Sequence, residues 1–457
     1  MSNPMINEGP LAKVRTKIGK KKEEEMSKTG TIDAYIIGFN PAVEVCANAS
    51  AICWDKPLPE GYDNLAEYVA KRTRVGHTSV LEHSNCVMLL DIDACFSTDL
   101  IAFLDCCHYV YTRVTTSSDG SRFFLLIGGS YRAYSDIYRE SDDLNNIVLK
   151  HVGNILYTYA HSAMFEDICK LGLMDRSKFM DIEPDPALYL STPYTAEYNT
   201  ERFDVINCDD IGILYNKIHD VHPEAAATFT TYDLLKFCTV TINFKNMSRI
   251  ITQQLTRHRN GITQESQRYV DYTNSAFNSP ALFKDKYEDD HKYAINFGAS
   301  GRLNMTLQEI GEAMCGIYGT LANKAAVGEK YVLNREDARA YLPCNVVCRK
   351  LYMTFTYKSL LKFLLLREDK AAQAEIRMYA QDIGEWFERE SPFKTKEIRD
   401  LYTNPRLSIG EGIKLDVDEG IHEEVRDMTE EDYINYMKQV EAAETLERGE
   451  NLDADSE

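Results

Sequence analysis

The stretch Arg257–Tyr269, RHRNGITQESQRY, concentrates positive charge in a chain whose formal net charge is −20. Arg257, His258 and Arg259 are consecutive, and Arg268 follows after a polar segment rich in hydroxyl and amide side chains. A guanidinium group presents a rigid fork of donors that suits phosphate and carbonyl oxygens. The stretch alone leaves two interpretations open: a solvated surface loop, or a site that holds an anion.

Local patterns place this stretch at the end of a helix. The apolar run CTVTINF predicts a strand over 238–244, and Met247, Ile250, Ile251 and Leu255 then share one helical stripe. Asn260-Gly261 is a turn signal. We therefore expect the cationic residues at the C-terminal end of a helix and in the loop that follows it.

Two further arginines stand in chemically informative contexts. Arg339 lies in DARAYLP, and Arg367 follows the apolar run FLLL within a helical pattern predicted from Ser359 to Glu390. A half-buried guanidinium needs an anion or an acceptor as its partner. For Arg367 that partner is either a ligand or an internal carboxylate, with Glu368, Asp369 and Glu375 as the candidates.

An upstream segment, GHTSVLEH at 76–83, offers hydroxyls and a carboxylate in a small space. The spacing of Ser79 and Glu82 fits a capping box and predicts a helix N-terminus, which is itself a place where phosphate binds. His77 and His83 are six positions apart, which is not the spacing of a helical metal-binding pair.

Composition excludes several classes of protein. Hydrophobic content of 44% and charged content of 27% are typical of a soluble globular protein. We find no apolar run near the roughly 20 residues that cross a bilayer and no secretory signal, so we expect a cytoplasmic protein without a membrane segment. The twelve cysteines lack any CxxC pair, which predicts reduced thiols and no metal site. The acidic balance argues against nucleic acid as a partner.

Charge patterning divides the chain into three parts. Residues 1–30 form a charge-blocked segment that we expect to be mobile, and residues 31–400 form the globular domain, with an insertion at about 140–225. Residues 401–457 form an acidic tail, because Glu411–Glu457 holds 17 acidic residues against 4 lysines and arginines. Neither GxGxxG nor GxxxxGK[ST] occurs, so the common phosphate-binding loops are absent from the sequence.

Taken together, four separated elements resemble the flavin-dependent thymidylate synthases. RHR followed by Ser-x-Arg-Tyr is similar to the family signature, and QQLTRHR includes a glutamine that stands before the signature in that family. The other three elements are VGHTSVLEHSN, ARAYLPCN and SLLKFLLLREDKAAQAEIRMYA, and they occur in the family's order. The resemblance extends, in pieces, from about residue 40 to residue 395.

The resemblance implies both a fold and a reaction. The fold class is α+β, with helices around a mixed or antiparallel sheet. The reaction is the reductive methylation of dUMP to dTMP, with methylenetetrahydrofolate as the carbon donor, FAD as the cofactor and NADPH as the source of the hydride. Members of the family are usually homotetramers whose subunits share active sites. A non-catalytic member that keeps nucleotide binding is the alternative.

The resemblance also implies roles for individual residues. The catalytic residues would be Arg257, Ser266 and Arg367. The cofactor-binding residues would be His77, Ser79, Glu82, Arg257, His258, Arg259 and Lys362. The residues that bind dUMP would be Gln254, Gln264, Ser266, Arg268, Arg339 and Arg367.

The sequence departs from the family pattern at defined places. Six residues separate Arg259 from Ser266, which is one fewer than the family usually has. Lys362 stands where the family often has asparagine, and Ala371 stands where it commonly has histidine. These departures bear most directly on FAD binding.

Overall fold

The computed structural model describes residues 13–19, 29–93, 110–143, 186–191, 200–258, 261–279, 288 and 290–389. All of them belong to the first of two compact units, residues 1–399. The acidic tail and most of the expected insertion lie outside the described residues. So does most of a helix predicted from the pattern TDLIAFLDCCHYVY at 98–111.

The first sheet has five strands, all paired antiparallel in the order β1-β2-β3-β5-β4. Its strands are β1 Lys13–Gly19, β2 Thr29–Phe39, β3 Cys86–Asp93, β4 Val110–Thr116 and β5 Arg122–Gly129. The continuous apolar run of β3 makes it a fully buried central strand. Strand β1 differs from the expectation of a mobile segment over 1–30. In it, Val14, Thr16 and Ile18 place β-branched side chains at every second position, a pattern that favours a strand.

The second sheet has four strands in the order β6-β7-β11-β8, again antiparallel. Its strands are β6 Phe203–Cys208, β7 Thr239–Ser248, β8 Gly261–Gln264 and β11 Val347–Thr356. A separate hairpin joins β9 Tyr293–Asn296 to β10 Arg302–Met305, within a segment where the sequence indicated only irregular structure. The α+β class and the antiparallel sheet are therefore confirmed.

Helices surround these sheets. Those of the N-terminal half are α1 Ala42–Trp54, α2 Tyr62–Arg74, α3 Tyr131–Asp143, α4 Ile211–Val221, α5 Pro223–Thr228 and α6 Thr231–Leu234. Those of the C-terminal half are α7 Arg249–Leu255, α8 Leu307–Leu321, α9 Lys324–Val327, α10 Arg335–Ala338, α11 Tyr357–Arg367 and α12 Ala374–Arg389. Among the described residues, no helix is both long and apolar enough to cross a membrane.

Each sheet has its own core. Helices α1, α2 and α3 contribute to one cluster with the first sheet, in which Val43, Val69 and Tyr134 are buried together with Met88 of β3. On the second sheet the core is aromatic. The ring of Phe244 in β7 lies 6.4 Å from those of Phe355 and Phe363 and 6.3 Å from that of Tyr379. Aromatic rings at such separations bring large buried area and directional contacts, so they fix α11 and α12 against β7 and β11.

The helix predicted from Ser359 to Glu390 is broken in two. Helix α11 ends at Arg367 and α12 begins at Ala374. Between them the carboxylate of Asp369 accepts a hydrogen bond from the backbone N–H of Ala371 at 2.7 Å, a local bond that competes with helical hydrogen bonding. Arg377 then donates to the carbonyls of Lys370 at 2.9 Å and Ala372 at 3.3 Å. The break leaves Arg367 at a helix C-terminus.

Gly261, the first residue of β8, allows two segments to approach closely. A Cβ added there would lie 2.6 Å from the carbonyl oxygen of Glu82, which is nearer than real Cβ contacts come. Because the opposing atom belongs to the backbone, it cannot move aside as a flexible side chain does. Gly261 therefore lets the 78–83 segment rest directly on the second sheet.

We expect Gly261→Ala to destabilise the protein by about 1–3 kcal/mol, the usual cost of overpacking. The matched control is Gly316→Ala in α8, where an added Cβ meets nothing within 4 Å. That control should be neutral or slightly stabilising, because alanine favours a helix over glycine. Chemical unfolding of the variants measures both effects, and equal stability of the two variants would contradict the close approach.

Candidate functional site

Two sequence elements more than a hundred residues apart converge at the C-terminal end of α7. The 3₁₀ turn Thr256–His258 follows α7 directly, and α11 brings Arg367 to it. Arg367 donates from Nε to Nε2 of His258 at 3.2 Å and from Nη1 to Oε1 of Gln254 at 3.4 Å. Gln254 in turn donates from Nε2 to Oε1 of Gln373 at 2.6 Å. We call Gln254, Arg257, His258, Lys362 and Arg367 the cationic group.

Burial and neighbouring charges lower the pKa values of two members of the cationic group, His258 and Arg367. Burial, together with the positive charges of Arg367 and Lys362, lowers the pKa of His258 to about 4. His258 is therefore neutral at pH 7. Since arginine can only donate, the bond from Arg367 requires Nε2 of His258 to be the unprotonated nitrogen. Burial and the neighbouring Arg257 lower the pKa of Arg367 from its usual value.

Two of the three candidate carboxylates for Arg367, Glu375 and Asp369, have other recorded partners. Glu375 is buried and accepts from the backbone N–H of Ser248 at 2.7 Å, from the hydroxyl of Ser248 at 2.6 Å and from Asn278 at 2.8 Å. Asp369 accepts from the Ala371 backbone. Within the described part of the chain, the recorded partners of the Arg367 guanidinium are the neutral side chains of Gln254 and His258. The geometry thus favours an anion site over an internal ion pair.

Arg268 and Arg339 approach one carboxylate, that of Glu336, and Ser266 bonds to the backbone of Arg268. Arg268 pairs with Glu336 at 3.1 Å, and Arg339 approaches the same oxygen at 4.0 Å. The hydroxyl of Ser266 accepts from the backbone N–H of Arg268 at 3.2 Å. All three charged side chains are between 40% and 49% exposed, so this pairing contributes little to stability and leaves the arginines available to a stronger anion. We call these three predicted residues the Ser266 group.

Gln264 lies at the end of β8, just before the Ser266 group. Its side-chain oxygen accepts from Nη1 of Arg249 at 2.9 Å. The neighbouring Glu265 is buried and accepts from Arg349 through Nε at 3.0 Å and Nη2 at 2.6 Å. Both guanidinium donors meet Oε1 of Glu265, and Oε2 accepts from the backbone N–H of Arg349 at 3.0 Å. These charge-assisted bonds hold the segment that leads to Ser266.

The 78–83 segment is a 3₁₀ helix, Thr78–His83, whose N-cap His77 makes no side-chain capping bond. The capping box predicted from Ser79 and Glu82 is therefore wrong. Glu82 instead forms an ion pair with Arg132 of α3. Burial raises the pKa of Glu82, and Arg132 opposes that shift. A 3₁₀ turn lacks the aligned peptide dipoles of a longer helix, which removes the N-terminal phosphate site that the spacing suggested.

His77 and Ser79 differ from Glu82 in their burial and contacts. Ser79 is exposed, whereas the ring of His77 packs edge-on against Trp54 at 5.0 Å. Trp54 also contacts Tyr269 at 5.7 Å between ring centroids, so His77 is connected to the segment of the Ser266 group. The guanidinium of Arg72 lies 3.7 Å from the centre of the Trp54 ring.

His83, at the end of the 3₁₀ helix, connects the segment to the second sheet. Its Nδ1 is 2.9 Å from the hydroxyl of Thr354 in β11, and its Nε2 is 2.9 Å from the hydroxyl of Thr263 in β8. The side chain is fully buried, and burial lowers the pKa of His83 from 6.5 to about 3. Its role is therefore structural: it positions Glu82 against β8.

A pH dependence of stability follows from His83. Its pKa is lower in the folded protein than the ordinary value of 6.5, so the unfolded chain takes up the proton first as pH falls. The free energy of unfolding should then decrease between pH 6.5 and 3, by up to about 1.4 kcal/mol per pH unit. In His83→Gln this contribution is absent. Urea unfolding at pH 7 and pH 5 gives the free energies of unfolding of wild type and of His83→Gln. The amount by which wild type is more stable than the variant should be smaller at pH 5 than at pH 7. The same difference in stability at both pH values would contradict a lowered pKa of His83 in the folded protein.

Several residues of these groups carried no signal in our sequence analysis. Gln373, Glu336 and Arg132 are partners of Gln254, Arg268 and Glu82, respectively. Residues that meet only through tertiary packing have no fixed spacing in sequence, so sequence patterns do not identify them. Gln373 is the exception, because it lies in SLLKFLLLREDKAAQAEIRMYA, one of the elements that resemble the family. Arg259 and Asn260 lie outside the described residues, and the shortened loop is described only from Gly261 onward.

Comparison with known proteins gives a consistent assignment for the C-terminal half. Residues 224–393 match the family model described as thymidylate synthase complementing protein. The flavin-dependent thymidylate synthases of Pyrococcus abyssi and Pyrococcus furiosus are each 26% identical over 209 residues, which are 46% of this chain and 73% of each relative. The matched residues include the cationic group and the Ser266 group.

Two solved structures are similar to parts of the chain. One is the flavin-dependent thymidylate synthase of Helicobacter pylori complexed with FAD and dUMP, at 17% identity, covering 38% of this chain and 76% of that one, with a TM-score of 0.24. The other is a UMP/dUMP methylase from Streptomyces cacaoi bound with 5-Br dUMP, at 17% identity. The match covers 42% of this chain and 91% of that one, with a TM-score of 0.29. TM-scores this low support no conclusion about this site.

Proposed function

We propose, from the relationship of residues 224–393 to the flavin-dependent thymidylate synthases, that this chain methylates dUMP reductively to dTMP. The carbon donor is methylenetetrahydrofolate, and NADPH is the source of the hydride. The observation that carries the proposal is the cationic group, in which Arg367 bonds only neutral acceptors among the described residues. A half-buried positive charge that lacks a carboxylate partner favours an anionic ligand.

The cationic group fits a flavin. Bound FAD, once reduced by NADPH, supplies the hydride of the reaction. Arg257, His258 and Lys362, with Arg259 beside them in sequence, would hold this cofactor, with His77, Ser79 and Glu82 as further contacts. Guanidinium and ammonium groups stabilise phosphate oxygens and negative charge on a reduced ring system, and Lys362 supplies such a charge where the family often has an amide.

The nucleotide would be held by donors from both groups. Gln254 and Arg367 would bind it from the cationic group, and Ser266, Arg268 and Arg339 from the Ser266 group, with Gln264 beside them. A dianionic phosphate binds guanidinium forks more strongly than one exposed carboxylate does, so we expect it to displace Glu336 from Arg268. Arg257, Ser266 and Arg367 are the residues we place nearest to the reacting atoms.

The proposal includes a cytoplasmic homotetramer with active sites shared between subunits. Light scattering of the purified protein gives the molar mass directly. The domain boundary at residue 400, with an insertion at about 140–225, remains part of the proposal.

One experiment tests the function. Purified protein is supplied with FAD, NADPH, methylenetetrahydrofolate and dUMP, and dTMP is measured by chromatography while flavin absorbance is recorded. Flavin absorbance together with dTMP formation supports the proposal. Binding of dUMP without coupled NADPH oxidation would instead identify a non-catalytic member. A protein that binds no flavin at micromolar FAD would exclude the proposed reaction.

A further inference from the structure

Arg249, the first residue of α7, is a half-buried cation whose hydrogen-bond partners among the described residues are all neutral. Nη1 donates to the side-chain oxygen of Gln264 at 2.9 Å. Nη2 donates to the backbone carbonyl of Glu265 at 2.6 Å and to the hydroxyl of Tyr272 at 3.1 Å. Glu265, the adjacent carboxylate, is already bound by Arg349. Removing a charge from water for neutral partners alone is costly, so the arrangement calls for an explanation.

The first of these bonds fixes the orientation of the Gln264 amide. A guanidinium has donors and no acceptor, so only the amide oxygen of Gln264 can face Arg249. The amide nitrogen, with its two N–H donors, must then be directed away from Arg249. A glutamine without such a partner could rotate and offer either its oxygen or its nitrogen to a ligand.

We propose that Arg249 is a positioning residue, which holds Gln264 so that the amide N–H, and not the oxygen, meets the bound nucleotide. This inference rests on the proposed function, because it assumes that Gln264 faces dUMP. The ligand atom it selects is a hydrogen-bond acceptor: a phosphate oxygen or a carbonyl oxygen of the base. A ligand that presents a donor at this position meets a second donor and is disfavoured.

The position of Gln264 supports this role. It is the last residue of β8, where it pairs with Leu351 of β11, and the backbone N–H of Glu265 bonds to the carbonyl of Lys350 at 3.2 Å. The backbone at Gln264 is therefore held by the sheet, and its side chain is held by Arg249. Two residues later the chain reaches Ser266, the start of the Ser266 group.

A double-mutant cycle tests the proposal with dUMP as the probe. Affinities are measured by calorimetry for wild type, Arg249→Met, Gln264→Met and the double variant. Arg249→Met should weaken dUMP binding about tenfold when Gln264 is present, the effect of one lost hydrogen bond. In the Gln264→Met background the same change should have no effect, because Arg249 acts through Gln264. Equal weakening in both backgrounds would overturn the proposal.

A second variant keeps the test informative if Arg249→Met fails to fold. Gln264→Glu retains an acceptor for Arg249, so its thermal midpoint should match or exceed that of wild type, yet it presents no outward N–H. We expect dUMP affinity to fall at least tenfold. Deoxyuridine, which lacks phosphate, distinguishes the two acceptors. If the variant loses affinity for dUMP alone, the acceptor that meets Gln264 is a phosphate oxygen. If it loses affinity for both dUMP and deoxyuridine, the acceptor is a carbonyl oxygen of the base. Unchanged affinity for both would overturn the proposal.

The same measurements separate this inference from the proposed function. If wild-type protein binds no dUMP, the proposed function fails, together with the role of Arg249 that depends on it. If wild type binds dUMP but the cycle shows no coupling, only the role of Arg249 fails.

Discussion

Arg367→Ala is expected to reduce dUMP binding and dTMP formation by roughly 10- to 100-fold, because a charge-assisted hydrogen bond contributes about 1.5–3 kcal/mol and this residue belongs to a group without a compensating carboxylate. Folding should be preserved, since Arg367 lies at the end of α11 and bonds only neutral side chains within the described residues. Steady-state kinetics and calorimetry measure the loss, and circular dichroism verifies the fold.

The control for this change is Arg302→Ala, which removes an exposed arginine from β10 and should leave activity unchanged. A spectroscopic readout accompanies it. Because Arg367 lowers the pKa of His258, the variant should raise that pKa above about 4, while burial keeps it below the ordinary 6.5. Nuclear magnetic resonance titration of His258 measures the shift. Full activity in Arg367→Ala would mean that the cationic group does not bind the nucleotide.

Glu375→Ala is expected to produce the largest loss of stability, about 3 kcal/mol. Its buried carboxylate accepts three hydrogen bonds, two from Ser248 at the start of α7 and one from Asn278. Removing it leaves buried donors unsatisfied, at about 1–3 kcal/mol for each group that cannot reach water. The change also releases α12 from α7, so the orientation of Gln254 should suffer as well. Chemical unfolding measures the effect.

Glu385→Ala is the matched control on the same helix. Its carboxylate is 71% exposed and lies 4.0 Å from Arg389, a surface pair one helical turn away. Such pairs contribute about 0.3–0.5 kcal/mol. A difference of less than 1 kcal/mol between the two variants would show that the Glu375 network is not needed to hold α12.

The strands of the fold could be predicted from sequence where burial was nearly complete. The run CVMLLDI corresponds to β3, because a strand covered on both faces needs a continuous apolar segment. The run CTVTINF, in which apolar residues alternate with polar ones, corresponds to β7. The break between α11 and α12 could not be predicted in this way. Its cause is one side-chain bond at Asp369 in a segment without glycine or proline, and helical periodicity continues across it.

The candidate site was predicted in composition but not in arrangement. Resemblance identified Gln254, Arg257, His258 and Arg367, and the structure brings these residues together. The capping box at Ser79 failed because the same spacing is compatible with a 3₁₀ turn when His77 supplies no cap. Ion-pair partners such as Glu336 depend on how distant segments pack against each other, and that packing cannot be predicted from a single sequence.

The neutral state of His258 has a consequence for pH titrations of ligand binding. Its pKa of about 4 lies below the working range, and arginine guanidinium groups stay protonated throughout it. From pH 5 to 8 the charge that His258 and Arg367 present is therefore constant. A phosphate monoester loses its second proton near pH 6. Any change in nucleotide affinity near that pH should then follow the ionisation of the ligand, and deoxyuridine, which has no phosphate, should bind with an affinity independent of pH.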